Sequence, residues 1–100
     1  MKLIETIIRP TNLAEVKAAM QELGIEEIME SEIISHGSKK TESMSYRGAE
    51  YATDFIKKIK VEIIAADNIV AKVVKTIRDI AGTGRKDDCR IFILPFIEAF

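Results

Sequence analysis

"FIKKIKVEIIA", residues Phe55 to Ala65, is the stretch on which the fold turns. It restores strand character, with β-branched residues in a short run, after a long stretch without periodicity. Ile69, Val70, Val73, Val74, Ile77 and Ile80 follow it as a continuous apolar stripe at helical spacing, with Asp67 or Asn68 as the predicted cap. Gly82 closes that helix and Gly84 adds a second break. "RIFIL", Arg90 to Leu94, is a final strand ended by Pro95.

The same layout stands ahead of the aperiodic stretch. "KLIETIIR", Lys2 to Arg9, reads as a strand and stops at Pro10. Asn12 is the predicted helix cap, with Glu15 three residues on as its capping-box partner. Leu13, Val16, Met20 and Leu23 keep helical spacing, and Gly24 supplies the stop. "EEIMESEIIS", Glu26 to Ser35, reads as the second strand. The order is β-α-β-β-α-β, the split βαβ or ferredoxin-like pattern, an α+β class in one domain over residues 1–100. Its antiparallel sheet carries helices on one face. The other face needs a cover, and a partner subunit is the cheapest one.

Composition bounds the function. The chain is 47% hydrophobic, enough for a core, though 100 residues make a marginal domain for which oligomerisation is a common remedy. The net charge of -1 excludes the basic excess that nonspecific nucleic-acid binding needs. A single cysteine, Cys89, forms no internal disulfide and fits a cytoplasmic setting. No apolar run approaches the about 20 residues of a membrane span, and Glu5, Thr6 and Arg9 break the N-terminal block that a signal peptide would need.

From His36 to Ala52 no period holds. A stretch that long in so small a domain points to function or disorder. It ends in "SYRGAEYATDF", Ser45 to Phe55, which holds both tyrosines of the chain. A segment meant to switch is weakly held by its own sequence, so that a ligand's modest binding energy can redirect it. Arg47 offers a flat guanidinium for a partner, and a tyrosine gives a rigid contact with a modifiable hydroxyl. "AGTGRKDDCR", Ala81 to Arg90, offers glycine backbone, the Thr83 hydroxyl and the Arg85 and Arg90 guanidiniums to phosphate oxygens. By itself "GTGR" favours the plainer reading, a helix end followed by a charged turn. His36, the one histidine, has no neighbour at metal-ligand spacing. Met20, Met29 and Met44 read as packing or loop residues.

"MKLIETIIRP", "LAEVKAAMQELGI", "YRGAEYATDFIKKIKVEII" and the "TGR" ahead of "RIFI" resemble the PII signal-transduction proteins of nitrogen metabolism, from Met1 to about Ile93. "YRGAEY", Tyr46 to Tyr51, is the most specific element. The resemblance implies a homotrimer with a protruding T-loop, here about residues 37–54, and a second nucleotide loop at about residues 82–90. It implies ATP or ADP in the clefts between subunits, with Gly37, Ser38, Lys39, Ile64, Thr83, Gly84, Arg85, Asp88, Cys89 and Arg90 as the binding residues. It implies 2-oxoglutarate beside ATP through Mg2+, and a T-loop that docks on an ammonium channel or a metabolic enzyme through Tyr46, Arg47 and Tyr51. Tyr51 stands where proteobacterial members are uridylylated.

Several positions depart from the family pattern. Asp87 and Cys89 replace glycines of the second loop, while Asp88 fits and Arg90 replaces a lysine. A carboxylate at Asp87 repels a triphosphate unless it turns outward or meets a metal. Lys39 takes the place of the glutamine that helps hold magnesium and 2-oxoglutarate, and a protonated lysine has no lone pair to give. No basic residue follows Arg90 through Phe100, where the family carries two arginines. The expectation is therefore an adenine nucleotide site in which ADP or AMP competes well and 2-oxoglutarate adds little. Two other readings stand beside it. One is a divergent PII-like regulator of bicarbonate transport or metal efflux. The other is a small ferredoxin-like enzyme such as an acylphosphatase, for which "RPTN" at Arg9 to Asn12 is a poor match to the required phosphate loop.

Overall fold

Alternation along two central strands builds the core. In β1 (Lys2–Ile8) the side chains of Ile4, Thr6 and Ile8 are buried. In β3 (Phe55–Ala65) Ile59, Val61, Ile63 and Ala65 are buried on the same side. A period of two puts all of these on one face of a pleated sheet. The computed structural model describes residues 1–36, 55–82 and 89–95. Its further elements are α1 (Leu13–Glu22), β2 (Ile28–His36), α2 (Val70–Ala81) and β4 (Cys89–Pro95).

The four strands form one antiparallel sheet in the order β2-β3-β1-β4, the ferredoxin-like arrangement that the sequence predicts. β1 pairs with β3 from Lys2 opposite Ala65 to Ile8 opposite Ile59, and with β4 from Lys2 opposite Pro95 to Ile8 opposite Cys89. Both helices lie on the face that carries Ile4, Val61 and Ile63. Val16 and Met20 of α1 and Val73, Ile77 and Ala81 of α2 complete the buried cluster. Deleting a side chain of that size from such a cluster typically costs about 2–5 kcal/mol.

The helix ends differ from the reading of the sequence. Asn12 makes no capping hydrogen bond, because the turn Pro10–Asn12 already carries it into helical backbone at φ -92°, ψ -7°. A capping side chain needs an extended residue instead. Asp67 and Asn68 likewise do not cap α2, which is entered through a tight turn, Asp67–Ile69. Gly24 does stop α1 as expected. It sits at φ +86°, its N–H donates to Gln21 O at 3.0 Å, and the Ile25 N–H donates to Met20 O at 3.0 Å, the Schellman pattern. Gly82 closes α2 for a different reason. Its backbone is extended, and a Cβ there would lie 2.8 Å from Arg78 O. β2 runs through His36 opposite Phe55, so His36 is a strand residue and not the start of a loop. Residues 37–54 lie outside the described residues.

Asp67 is used elsewhere. Its Oδ1 accepts from the Met1 ammonium at 2.6 Å and from Lys2 Nζ at 3.2 Å, tying the start of β1 to the entry of α2. The Met1 ammonium first, and Lys2 second, hold its carboxyl below the ordinary carboxylate range. The group is exposed, so solvent screens the gain. A lowered folded-state pKa gives stability that is present above the unfolded value and lost as pH falls through the folded one. Asp67→Asn should therefore lower the melting temperature slightly at neutral pH, and the difference should vanish in strong acid and shrink in molar salt. Thermal melts of both proteins at the two pH values check this, and an unchanged difference in acid would disprove the assignment.

Candidate functional site

The face of the sheet away from the helices is open. Strand register arranges it in rows. Leu94, Leu3 and Ile64 form the first, and Phe92, Glu5, Glu62 and Met29 the second. Arg90, Ile7, Lys60 and Ser31 form the third, and beyond it Lys58 stands opposite Ile33. The large apolar side chains of the first two rows are conspicuous: Ile64, Phe92, Leu94 and Met29 are 40–45% exposed. Lone exposed apolar residues are ordinary, but a contiguous patch marks an interaction surface.

Toward the other end the face turns cationic. Lys58 is only 8% exposed, on the side of the sheet that has no helices. Arg9 follows Ile8, which pairs with Ile59, so the extended backbone sets Arg9 beside Lys58. The Nε of Arg9 is buried and finds no hydrogen-bond partner among the described residues. Lys60 pairs with Glu5 at 3.7 Å, which offsets part of the repulsion between Glu5 and the facing Glu62. Arg90 is placed by its backbone. The hydroxyl of the buried Thr6 donates to Arg90 O at 2.8 Å and fixes β4 against β1. Alternation then sends the Arg90 side chain to the open face and Cys89 to the helix face, where its Sγ lies 4.0 Å from Thr6 Oγ1.

Of the residues predicted to bind nucleotide, Ile64 and Arg90 thus share a face. They lie four residues apart along the strands, about 13 Å. Cys89 can join Arg90 only through its backbone. Gly37, Ser38, Lys39, Tyr46, Arg47, Tyr51, Thr83, Gly84, Arg85 and Asp88 lie outside the described residues. The structure adds Lys58 and Arg9, which the sequence reading does not single out. The available signal was the alternation within "KKIKVEII", which sends Lys58, Lys60, Glu62 and Ile64 to one side and Ile59, Val61 and Ile63 to the other.

This donor set suits an anion. Lys58, Arg9 and Arg90 present positive charge at the end of the face from which β2 runs to residue 37 and into which residue 88 leads. A cation with little water around it attracts a phosphate or carboxylate strongly. The same set offers Mg2+ nothing, and no group of three His, Cys, Asp or Glu suited to a metal occurs among the described residues. Any magnesium here would be held by phosphates or by residues outside the described ones.

The domain is thus a four-stranded antiparallel sheet of the ferredoxin-like type, with helices on one face and an open, partly apolar face that ends in cations. The family model for nitrogen regulatory protein P-II matches residues 1–100. A nitrogen regulatory protein P-II of Bradyrhizobium diazoefficiens is 44% identical over 99 residues, 99% of this chain and 88% of that protein. One from Rhizobium meliloti is 46% identical over 93 residues, 93% of this chain and 83% of the relative. The nitrogen regulatory protein GlnK2 of Haloferax mediterranei is 41% identical over 95 residues, 95% of this chain and 77% of its own. The chain belongs to the P-II family of nitrogen regulatory proteins, whose members are named as regulators and not as enzymes. Among the described residues no helix is long and apolar enough to cross a membrane.

If the cationic end receives an anion, Lys58→Met should weaken ATP binding while Lys72→Met, on the exposed face of α2, leaves it unchanged. Loss of one charge-assisted contact is worth about 1.5–3 kcal/mol, or roughly 10- to 150-fold in affinity. Arg90→Ala should likewise cost more than Lys86→Ala. Calorimetric titration of the four variants decides it, and equal affinities throughout would remove the anion from this end of the face.

Proposed function

We propose that the protein is a nucleotide-responsive signal-transduction regulator that works as a homotrimer. The observation that carries the reading is the open sheet face, apolar at one end and cationic at the other. Burying Ile64, Phe92, Leu94 and Met29 between copies removes a patch that a monomer would leave in water. The cationic end then lies at the edge of that assembly, where an adenine nucleotide takes its phosphates to Arg90, Arg9 and Lys58. Family membership supports the same arrangement, with residues 37–54 as the T-loop and residues 82–90 as the second nucleotide loop. The nucleotide sets the T-loop, and the T-loop controls an ammonium transporter or an enzyme of nitrogen metabolism through Tyr46, Arg47 and Tyr51. Tyr51 is the position proposed for uridylylation.

ATP, ADP and AMP compete for this site. Each added phosphate needs matched donors once water is excluded. Asp87 adds charge of the wrong sign, and Lys39 withholds the magnesium ligand that 2-oxoglutarate would share. ADP or AMP therefore binds at least as tightly as ATP, and 2-oxoglutarate adds little.

Two measurements test the proposal. Light scattering at micromolar concentration should give about three times the 11.2 kDa mass of the chain, and a monomer mass would refute the assembly. Titration of ATP, ADP and AMP at fixed magnesium, with and without 2-oxoglutarate, tests the ligand. ATP tighter than ADP by about tenfold, and tighter still with 2-oxoglutarate, would show that Asp87 and Lys39 leave the site unaltered.

A further inference from the structure

Two carboxylates stand in the middle of the open face. Glu5 of β1 is directly opposite Glu62 of β3. Cross-strand neighbours of this kind have Cβ atoms about 4.5–5.5 Å apart, and like charges there repel. Their row runs from Phe92 on one side to Met29 on the other, both exposed. The adjoining row is Leu94, Leu3 and Ile64. A surface that covers these apolar side chains also covers the two carboxylates between them.

The charges around the pair do not balance. Lys60 pairs with Glu5 at 3.7 Å, while Glu62 has no ion pair among the described residues. Arg9, Lys58 and Arg90 belong to the cationic end of the face. β2 brings only Met29, Ser31, Ile33 and Ser35 to this side, and the helices lie on the other. Two carboxylates therefore share one ammonium group, and water solvates the surplus charge while the face is open. A second copy brings the same rows with the same surplus. Its own cationic end is the part that the proposed function gives to phosphates.

We propose that assembly through this face takes up one proton per copy at the Glu5–Glu62 pair, so that acid tightens the assembly. The inference rests on the homotrimer proposed above. A carboxylate taken out of water costs far more than the neutral acid. The proton comes from solvent and bonds to a carboxylate oxygen of Glu62. That O–H then donates to Glu5, so the two groups share a proton as closely spaced carboxylates do. The remaining negative charge is the one that Lys60 already meets, and the covered patch is neutral.

Light scattering over a dilution series of the full chain, at pH 5 and pH 8, tests this. Assembly should be tighter at pH 5 by about tenfold or more per copy. Glu62→Gln should assemble at pH 8 about as tightly as the parent does at pH 5, with little dependence left. Lys60→Met, which leaves both carboxylates without their cation, should steepen the dependence. His36→Gln removes the one histidine, the side chain that ordinarily titrates in this window, and should keep it. A trimer indifferent to pH overturns this inference alone. Weaker assembly of Glu62→Gln at pH 8 also overturns it, since a cation of the partner copy would then meet Glu62. A monomer mass under all conditions removes the trimer and this inference together.

Discussion

The antiparallel contact between β1 and β3 is the constraint from which the other features follow. Seven residue pairs, from Lys2 opposite Ala65 to Ile8 opposite Ile59, fix two strands in one register. A slip of one residue would turn Ile4, Ile8, Val61 and Ile63 out of the core and bring Glu5, Lys60 and Glu62 into it. With that register set, the helices have one face to cover and the opposite face has a fixed chemical pattern. Thr6 extends the constraint to the next strand, since its hydroxyl bonds Arg90 O and so determines which face Arg90 presents.

Much of this architecture was legible in the sequence. β3 lies where "FIKKIKVEIIA" places it, and the apolar stripe of α2 emerges as Val73 and Ile77 buried with Ile69, Val70 and Ile80 packed alongside. The helix entries were not legible. Asn12 and Asp67 have the side chains of caps, but a cap depends on the backbone angle at one residue, and the turns ahead of both helices set that angle otherwise. Gly82 was read correctly as an end, and the structure supplies the reason, which is room beside Arg78 O.

The candidate site was legible only in part. Resemblance singles out Ile64 and Arg90, and the structure sets both on the open face. Lys58 escaped notice because a lysine beside another lysine reads as a solvated charge pair. Pleating separates the two: Lys57 is exposed and Lys58 is buried. Burial of a cation is a tertiary property, and composition carries no trace of it. Arg9 looked like the last residue of a strand, and only the structure shows that it stands one step beyond the Ile8–Ile59 pair with its Nε buried.

The lengths of the strands have a mechanical consequence. β3 has eleven residues and β1 has seven, and their pairing stops at Ile59. Among the described residues, 55–58 therefore have ladder partners in β2 only, as a two-stranded ribbon about 13 Å long with Ile34 and Ile56 exposed upon it. A ribbon of two strands is marginally stable without a sheet or helix behind it. It is a cantilever clamped at the Ile8–Ile59 pair, stiffer at that root than toward the His36–Phe55 pair. Bending or fraying there costs far less than global unfolding, and it leaves Ile59, Val61 and Ile63 in place. The free-energy scale for motion along the ribbon is thus separated from the one that keeps the domain folded, so displacement there does not draw on the stability of the core.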